Sequence, residues 1–455
     1  MKLFYTFTLL CILNTAAAQT PGKDSFRCII SKSLQYLVNS QFQHDTSVGF
    51  QGEWYSVMKL AVRFPLMGKP KDYADANCFT TAGVHNELAE IFLSDTIQYA
   101  SLKPTITNAY AALQNYTDGK GFNFWRLYPK KRKIKGRDTF FHIRQPLTYN
   151  LNSKFIKNAA NVMSDADDTA LGWYAAILQQ KINGLVPVKP LLPLLYPYRD
   201  KNRKNRNWYN IWNKDPRNSG AFMTWLGDEV KTKHVSTFNT ILHNFVFYLP
   251  ISKCFPFTNK AYIPYGTNDI DAVVNANVLN TLAINKETDS VGIVGNAAAF
   301  VNEKVSRRNF KHAAIYYPNR FHLHKVVATA YRSGIHQLKQ SIPVLVEDIK
   351  QQQRPDGSFR SKKRLNRYDP VQSTANVLYA LLQIGETEKY QTKQVIEKAV
   401  HYLLSQIQTD ANGHYYWKGG VFFSGGTVVK NILPFKSNAY TTAMIVRCLV
   451  MLHPV

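Results

Sequence analysis

Apolar and polar positions along this chain follow a helical rather than a strand period, and the helices they predict fall into two kinds. The first kind begins with Asp or Asn and runs into a stretch of small and apolar residues. Five segments do so: Asp75-Ala-Asn-Cys-Phe-Thr-Thr-Ala, Asp165-Ala-Asp-Asp-Thr-Ala-Leu-Gly, Asp269-Ile-Asp-Ala-Val-Val-Asn-Ala, Asp369-Pro-Val-Gln-Ser-Thr-Ala-Asn and Asn438-Ala-Tyr-Thr-Thr-Ala-Met. Asp and Asn cap helices because their side chains accept an otherwise unpaired backbone N–H. Pro370 suits a first helical turn. Apolar residues on most faces predict helices surrounded by other helices.

The second kind is amphipathic and ends in turn residues. Lys32-Ser-Leu-Gln-Tyr-Leu-Val-Asn-Ser-Gln closes at Gly52-Glu-Trp54, a stretch from Pro343 to Gln353 closes at Asp356-Gly-Ser-Phe359, and Lys398-Ala-Val-His-Tyr-Leu-Leu-Ser-Gln closes at Asn412-Gly and Trp417. Outer helix, turn, inner helix, turn, repeated around a circle, buries a continuous core and leaves a pocket at one end. The expectation is an all-α ring of inner and outer helices with irregular or small β insertions. Strand signals are local, at Tyr415-Tyr-Trp and Val421-Phe-Phe, and Tyr196 to Asp215 is the least regular stretch. No Gly/Ser linker divides the chain, so 19–455 is expected to be a single domain with an irregular insertion near 190–260.

Charge and the N-terminus change the setting. Lys2, the apolar run Leu3 to Leu13 and Ala16-Ala17-Ala18 have the layout of an export signal over 1–18, which implies a periplasmic or extracellular address. The formal net charge is +26, with clusters at Lys130-Lys131-Arg132-Lys133, Lys201 to Arg206, Arg307-Arg308 and Lys362-Lys363-Arg364 read as solvated loops. Their sum favours an anionic glycan or membrane surface as partner and, outside the cell, not nucleic acid. Oligomeric state is not legible. Cys28, Cys78, Cys254 and Cys448 have no metal spacing, and either disulfides or buried free thiols suit them. No cofactor or metal is expected. His322 and His324 do not share a helical face, and His85 with Glu87 and Glu90 is a common surface pattern. Phosphate loops and nucleophile elbows are missing from the sequence.

The sharpest candidate chemistry is Asp165-Ala166-Asp167-Asp168. Three carboxylates in four residues repel one another, and protonating one relieves the strain; in a dry pocket the protonated group is a general acid. Alternatively, all three are first-turn acids favoured by the helix dipole. Asp271 and Asn275 have the same two readings, as polar wall residues or as helix cap and buried amide.

Asp165-x-Asp167-Asp168-Thr-Ala resembles the DxDD acid motif of class II terpenoid cyclases, of which squalene–hopene cyclase is the type. Lys32-Ser-x-x-Tyr-Leu-x-x-x-Gln…Gly52-Glu-Trp54 resembles the QW repeat of that superfamily, with degenerate copies at Gln353…Phe359 and Lys398…Trp417. The likeness spans roughly Phe26 to His453 and implies the α/α toroid that these enzymes share with prenyltransferases. It implies Asp167 as proton donor to an alkene, with Asp165 and Asp168 polarising it. Cation–π attraction would come from Trp173, Tyr174, Phe79, Tyr379 and Tyr440. The chain is shorter than the two-barrel squalene–hopene cyclase and has no DDxxD-type motif.

Three functions remain in play at this point. One is alkene protonation on a lipid or polyprenyl substrate. Another is action on an acidic polysaccharide in an open cleft lined by Trp208, Trp212 and Arg206. The third is a toroid that binds without catalysis.

Overall fold

The structure, a computed structural model, describes residues 23–59, 71–134, 136–147, 160–184, 187–201, 218–227, 261, 263, 268–287, 292–361, 365–425 and 433–453. The expected export signal, most of the expected insertion, Cys254, Trp208, Trp212, Arg206 and the cluster Lys362-Lys363-Arg364 lie outside these residues.

Helices dominate. In chain order they are α1 (Lys23–Asn39), α2 (Cys78–Ser94), α3 (Lys103–Leu113), α4 (Ala166–Asn183), α5 (Ala272–Ile284), α6 (Ile293–Ser306), α7 (Phe321–Arg332), α8 (Ser341–Gln352), α9 (Asp369–Ile384), α10 (Lys393–Ser405) and α11 (Asn438–Leu452), besides short single turns. Six of them pack in a cyclic order: α2 on α4, α4 on α5, α5 on α7, α7 on α9, α9 on α11, and α11 back on α2. The amphipathic helices lie behind them, with α3 against α2 and α4, α6 against α5, α10 against α9, α8 touching α7 and α9, and α1 against α11. The five helices expected to be surrounded all fall in the cycle, and buried acids and amides gather at their caps and first turns, among them Asn77, Asp165, Asp167, Asp168, Asp271 and Asp369.

Five of the six follow the Asp/Asn-led segments, with shifts in which residue does the capping. Asn77, not Asp75, caps α2; Asp165 caps α4; Asp271, not Asp269, caps α5. Asp369 sits inside the first turn of α9, and Ser437 rather than Asn438 caps α11. The sixth, α7, has no acidic lead. There the Asn319 side chain accepts the Phe321 N–H at 3.0 Å.

Strands are more extensive than the sequence suggested. β1 (Ser56–Lys59), β2 (Asp72–Asp75), β7 (Val421–Ser424) and β8 (Pro434–Lys436) form one antiparallel sheet in the order β2-β1-β8-β7. It joins the segment before α2 to the segment before α11. β3 (Leu127–Ile134) and β4 (Arg137–Arg144) make a hairpin, and β5 (Gln408–Thr409) pairs with β6 (Tyr415–Tyr416). The cluster at 130–133, expected in a loop, is therefore part of a strand, where exposed Lys131 pairs with Asp138 at 2.8 Å. Cys28, Cys78 and Cys448 are free, the latter two buried.

Two outer-to-inner turns repeat one geometry. Gln41 Nε2 donates to the carbonyls of Gly52 (3.0 Å) and Thr105 (2.9 Å), as Gln353 Nε2 does to those of Gly357 (3.2 Å) and Val395 (2.9 Å). Each Gln thus ties its own turn to the start of the next outer helix. Trp54 and Trp417, both fully buried, donate their indole N–H to the Leu37 and Leu403 carbonyls. Gly52 and Gly357 have φ of +87° and +83°, and a Cβ on either would lie 2.3 Å from a carbonyl oxygen of the neighbouring helix. Gly413 shares the backbone conformation (φ +81°) but has open space around it. Gly413→Ala is expected to cost about 1–3 kcal/mol from the left-handed backbone alone, and Gly357→Ala clearly more. Urea unfolding of the two variants checks this, and equal costs would mean the turn yields without resistance.

Candidate functional site

The acidic turn at the start of α4 is built by one side chain serving the other two. Asp165 has extended backbone and its Oδ1 accepts the N–H groups of Asp167 (3.0 Å) and Asp168 (2.8 Å). That fixes the first turn and keeps the Asp168 carboxyl against that of Asp165. All three are buried. Burial pushes Asp165 up to about 6 despite those two N–H groups. Asp168 is raised well above the ordinary carboxylate range by burial and then by Asp165, and its Oδ1 has no partner among the described residues.

Asp167 is raised well above that range too, first by burial and then by the Asp165 charge. Its Oδ1 accepts the Asn277 amide at 2.7 Å, and its Oδ2 is hydrogen-bonded to the Tyr317 hydroxyl. Asn277 comes from the adjacent α5 and Tyr317 from the segment leading into α7, so three parts of the ring meet on one carboxyl. The Tyr317 ring lies 4.4 Å from His322, 5.9 Å from Phe79 and 5.9 Å from Phe423, between centroids. Phe79 in turn stacks on Phe422 at 5.4 Å and meets Tyr440 at 5.8 Å. A protonated carboxyl beside ring faces is an arrangement that can donate a proton to an apolar acceptor and hold a cation.

The remaining candidates divide between this turn and elsewhere. Phe79 and Tyr440 belong to the aromatic group. Asp271 accepts four backbone N–H groups, from Val273, Val274, Ile315 and Tyr316, which makes it a structural cap. Asn275 exchanges both amide bonds with the Phe222 backbone. Trp173 points outward, donating to the Lys189 carbonyl at 2.9 Å.

Tyr174 and Tyr379 sit deeper in the ring, in a network the sequence did not reveal. Tyr174 donates to Glu90 at 2.5 Å and Tyr379 to Glu87 at 3.0 Å. Lys325 of α7 reaches Glu87 of α2 at 3.4 Å, and Arg447 of α11 reaches Glu90 at 3.1 Å. Glu87 and Glu90, read from sequence as a surface pattern with His85, are buried and half-buried, and His85 is fully buried beside Gln179. The reason is spacing: acids three apart on a helix look alike whether they face water or a central lumen. Two acids and two bases close this floor with balanced charge.

Asn277 and Tyr317 were not among the expected site residues. Their only signal was a second Asn in an acid-led segment and a Tyr pair just before the helix that starts beside His322 and His324.

Two substitutions should move the Asp167 proton in opposite directions. Asp165→Asn keeps a capping side chain but removes the negative charge that disfavours ionisation, so the Asp167 pKa falls. Asn277→Leu removes a donor that favours the anion, so it rises. Carboxyl C=O infrared bands followed against pH report both, and shifts of the same sign would contradict this account of the turn.

No protein-family model matches the sequence, and a search of curated proteins gives no match. Solved structures do match in shape. The type II terpene cyclase MstE from Scytonema, without ligand, is 12% identical with a TM-score of 0.53, covering 94% of this chain and 99% of that one. A variant of it in complex with the product merosterolic acid A gives 13% and 0.54, with 95% and 98% covered. Cellobiose 2-epimerase from Bacillus thermoamylovorans gives 12% and 0.50, with 95% and 99% covered. At such identities the likeness is one of fold: this is a mostly helical chain whose structural neighbours are α/α toroids.

Proposed function

We propose that this protein is an exported α/α-toroid enzyme of the class II terpenoid-cyclase type, in which Asp167 protonates an alkene in an isoprenoid lipid. The cyclic order of α2, α4, α5, α7, α9 and α11 is then the toroid's inner ring, with its reaction chamber at the helix N-termini. The proton leaves the Asp167 carboxyl and bonds to one alkene carbon through the π electron pair, leaving a cation on the other. The next double bond closes a ring by attacking that cation, and loss of a proton from the last cation leaves an isomer of the starting lipid. Asp165 keeps Asp167 protonated, while Tyr317 and Asn277 hold its orientation.

The observation that carries this reading is a buried carboxyl held by two side chains from other elements, one of them Tyr317, whose ring meets those of Phe79 and Phe423. MstE, similar in fold, has been seen with geranylgeranyl dihydroxybenzoate as substrate, which makes geranylgeranyl compounds the first to try. Incubation in D2O should yield an isomer carrying one solvent deuterium at the protonated carbon. An unchanged panel of prenyl lipids, or isomers without deuterium, would count against the proposal.

A further inference from the structure

Between the acid turn and the charged floor, the inner helices carry buried polar side chains with atoms that have no hydrogen-bond partner among the described residues. On α9, Asn376 is fully buried and neither atom of its amide has a partner among the described residues. One helical step further on, at i+3, Tyr379 reaches across to Glu87 of α2. One turn before it, Gln372 accepts from Thr441 of α11 through Oε1 and leaves Nε2 unpaired. Residues 372, 376 and 379 form one stripe of a helix, so the Asn376 amide lies on the side of α9 that meets α2 and α11. On α2, Thr80 lies two turns before Glu87 on the same stripe, fully buried, with its hydroxyl unpaired. On α7, His322 lies one turn before Lys325, buried, with Nδ1 unpaired and its ring against Tyr317.

Buried amides, hydroxyls and ring nitrogens without partners cost free energy, about 1–3 kcal/mol each, and four on the stripes of α2, α7 and α9 that run to the Glu87–Lys325–Tyr379 contacts mark a place where something else completes their bonds. We propose that Thr80, His322, Gln372 and Asn376 form a recognition shelf for an uncharged oxygen-bearing group of the substrate, such as an alcohol, phenol or carbonyl. The proposal rests on the isoprenoid reading above and narrows it to oxygenated, not purely hydrocarbon, lipids. The group is uncharged for two reasons. The shelf supplies amide and hydroxyl groups, which both donate and accept. Lys325 and Arg447 are already matched by Glu87 and Glu90, while the charge of Asp165 in the acid turn opposes an anion. His322 packs on Tyr317, the residue bonded to Asp167, and Thr80 sits in the first turn of α2 as Asp167 does in α4, so a lipid with its oxygen on the shelf keeps a double bond within reach of the acid.

The test is direct binding, followed by intrinsic fluorescence, of three probes of one chain length: geranylgeraniol, the corresponding hydrocarbon, and geranylgeranyl diphosphate. The full-length protein should bind the alcohol at least ten-fold more tightly than either of the others. Asn376→Leu should erase that preference and keep hydrocarbon binding. Its thermal midpoint should hold or rise, because an unpaired buried amide gives way to an apolar group of similar size. Thr80→Val serves as a second, nearly isosteric variant should Asn376→Leu fold poorly, and should weaken alcohol binding alone. Wild-type affinity for the alcohol in both variants, tightest binding of the diphosphate, or no binding of any probe overturns the shelf. Asn376-dependent alcohol binding without any isomerised product would keep the shelf and sink the acid, so the two failures are separable.

Discussion

Asp167→Asn is expected to lower the rate of isomer formation by about 10²–10⁴-fold, the usual contribution of a positioned general acid, while leaving the fold and lipid binding intact. The amide has the shape of the carboxyl and still accepts the Asn277 N–H, so the turn capped by Asp165 has no reason to rearrange. What it lacks is a proton acidic enough to give to carbon. Asp168→Asn should cost less, since that carboxyl contributes repulsion but no described contact with the aromatic group. Product analysis by mass spectrometry on matched amounts of folded protein checks both. Equal activity of Asp167→Asn and wild type would leave the three carboxylates as helix caps and nothing more.

The second large effect concerns stability. Lys325→Met is expected to destabilise the protein by about 3–5 kcal/mol, because it removes the paired cation of a buried carboxylate and leaves Glu87 only the more distant Arg447. The single change is the costly one. Pairing it with Glu87→Gln should recover most of the loss, since an apolar and amide pair in the same space often matches a buried ion pair. Burial already raises the Glu87 pKa, Lys325 being the largest opposing influence. In Lys325→Met the carboxyl therefore rises further and takes up a proton on folding, which makes the variant more stable as pH falls through that raised pKa toward the ordinary Glu value. Urea unfolding of the two single variants and the double variant, at pH 8 and pH 6, measures this. A loss below about 1 kcal/mol for Lys325→Met, the scale of a surface pair, would show that water reaches the floor.

How much of this was legible in the sequence depended on whether the signal was local. Helix starts are local, since a capping Asp or Asn and the small residues after it lie within one turn, so five of the six inner helices could be found from their leads, and the sixth, without one, from the apolar run after His324. Asp75 and Asp269 led the reading astray by two residues each because either acid could have served as the cap, and only the fold shows that Asn77 and Asp271 do. The β3–β4 hairpin was hidden because Lys130-Lys131-Arg132-Lys133 has the composition of a loop although its backbone pairs with 138–141. Asp167 was visible as the middle acid of a dense triplet, but its holders were not: Asn277 and Tyr317 are 110 and 150 residues away in sequence. The floor fared worst. Glu87 and Lys325 are 238 positions apart and each, alone, looks like a surface charge.

The cyclic order of the inner helices also bears on how the molecule is made. α11, which completes the circle between α9 and α2, is synthesised after every other helix described, and it carries Arg447, the partner of Glu90. Until it emerges from the ribosome, the nascent chain resembles an arch without its keystone, with α2 and α9 lacking a neighbour and Glu90 lacking its cation. Contacts between the earliest and latest helices are slow to form, so the half-built curve exposes an apolar inner flank for most of translation. That interval, rather than the finished barrel, is where a chaperone or a neighbouring chain would find something to hold.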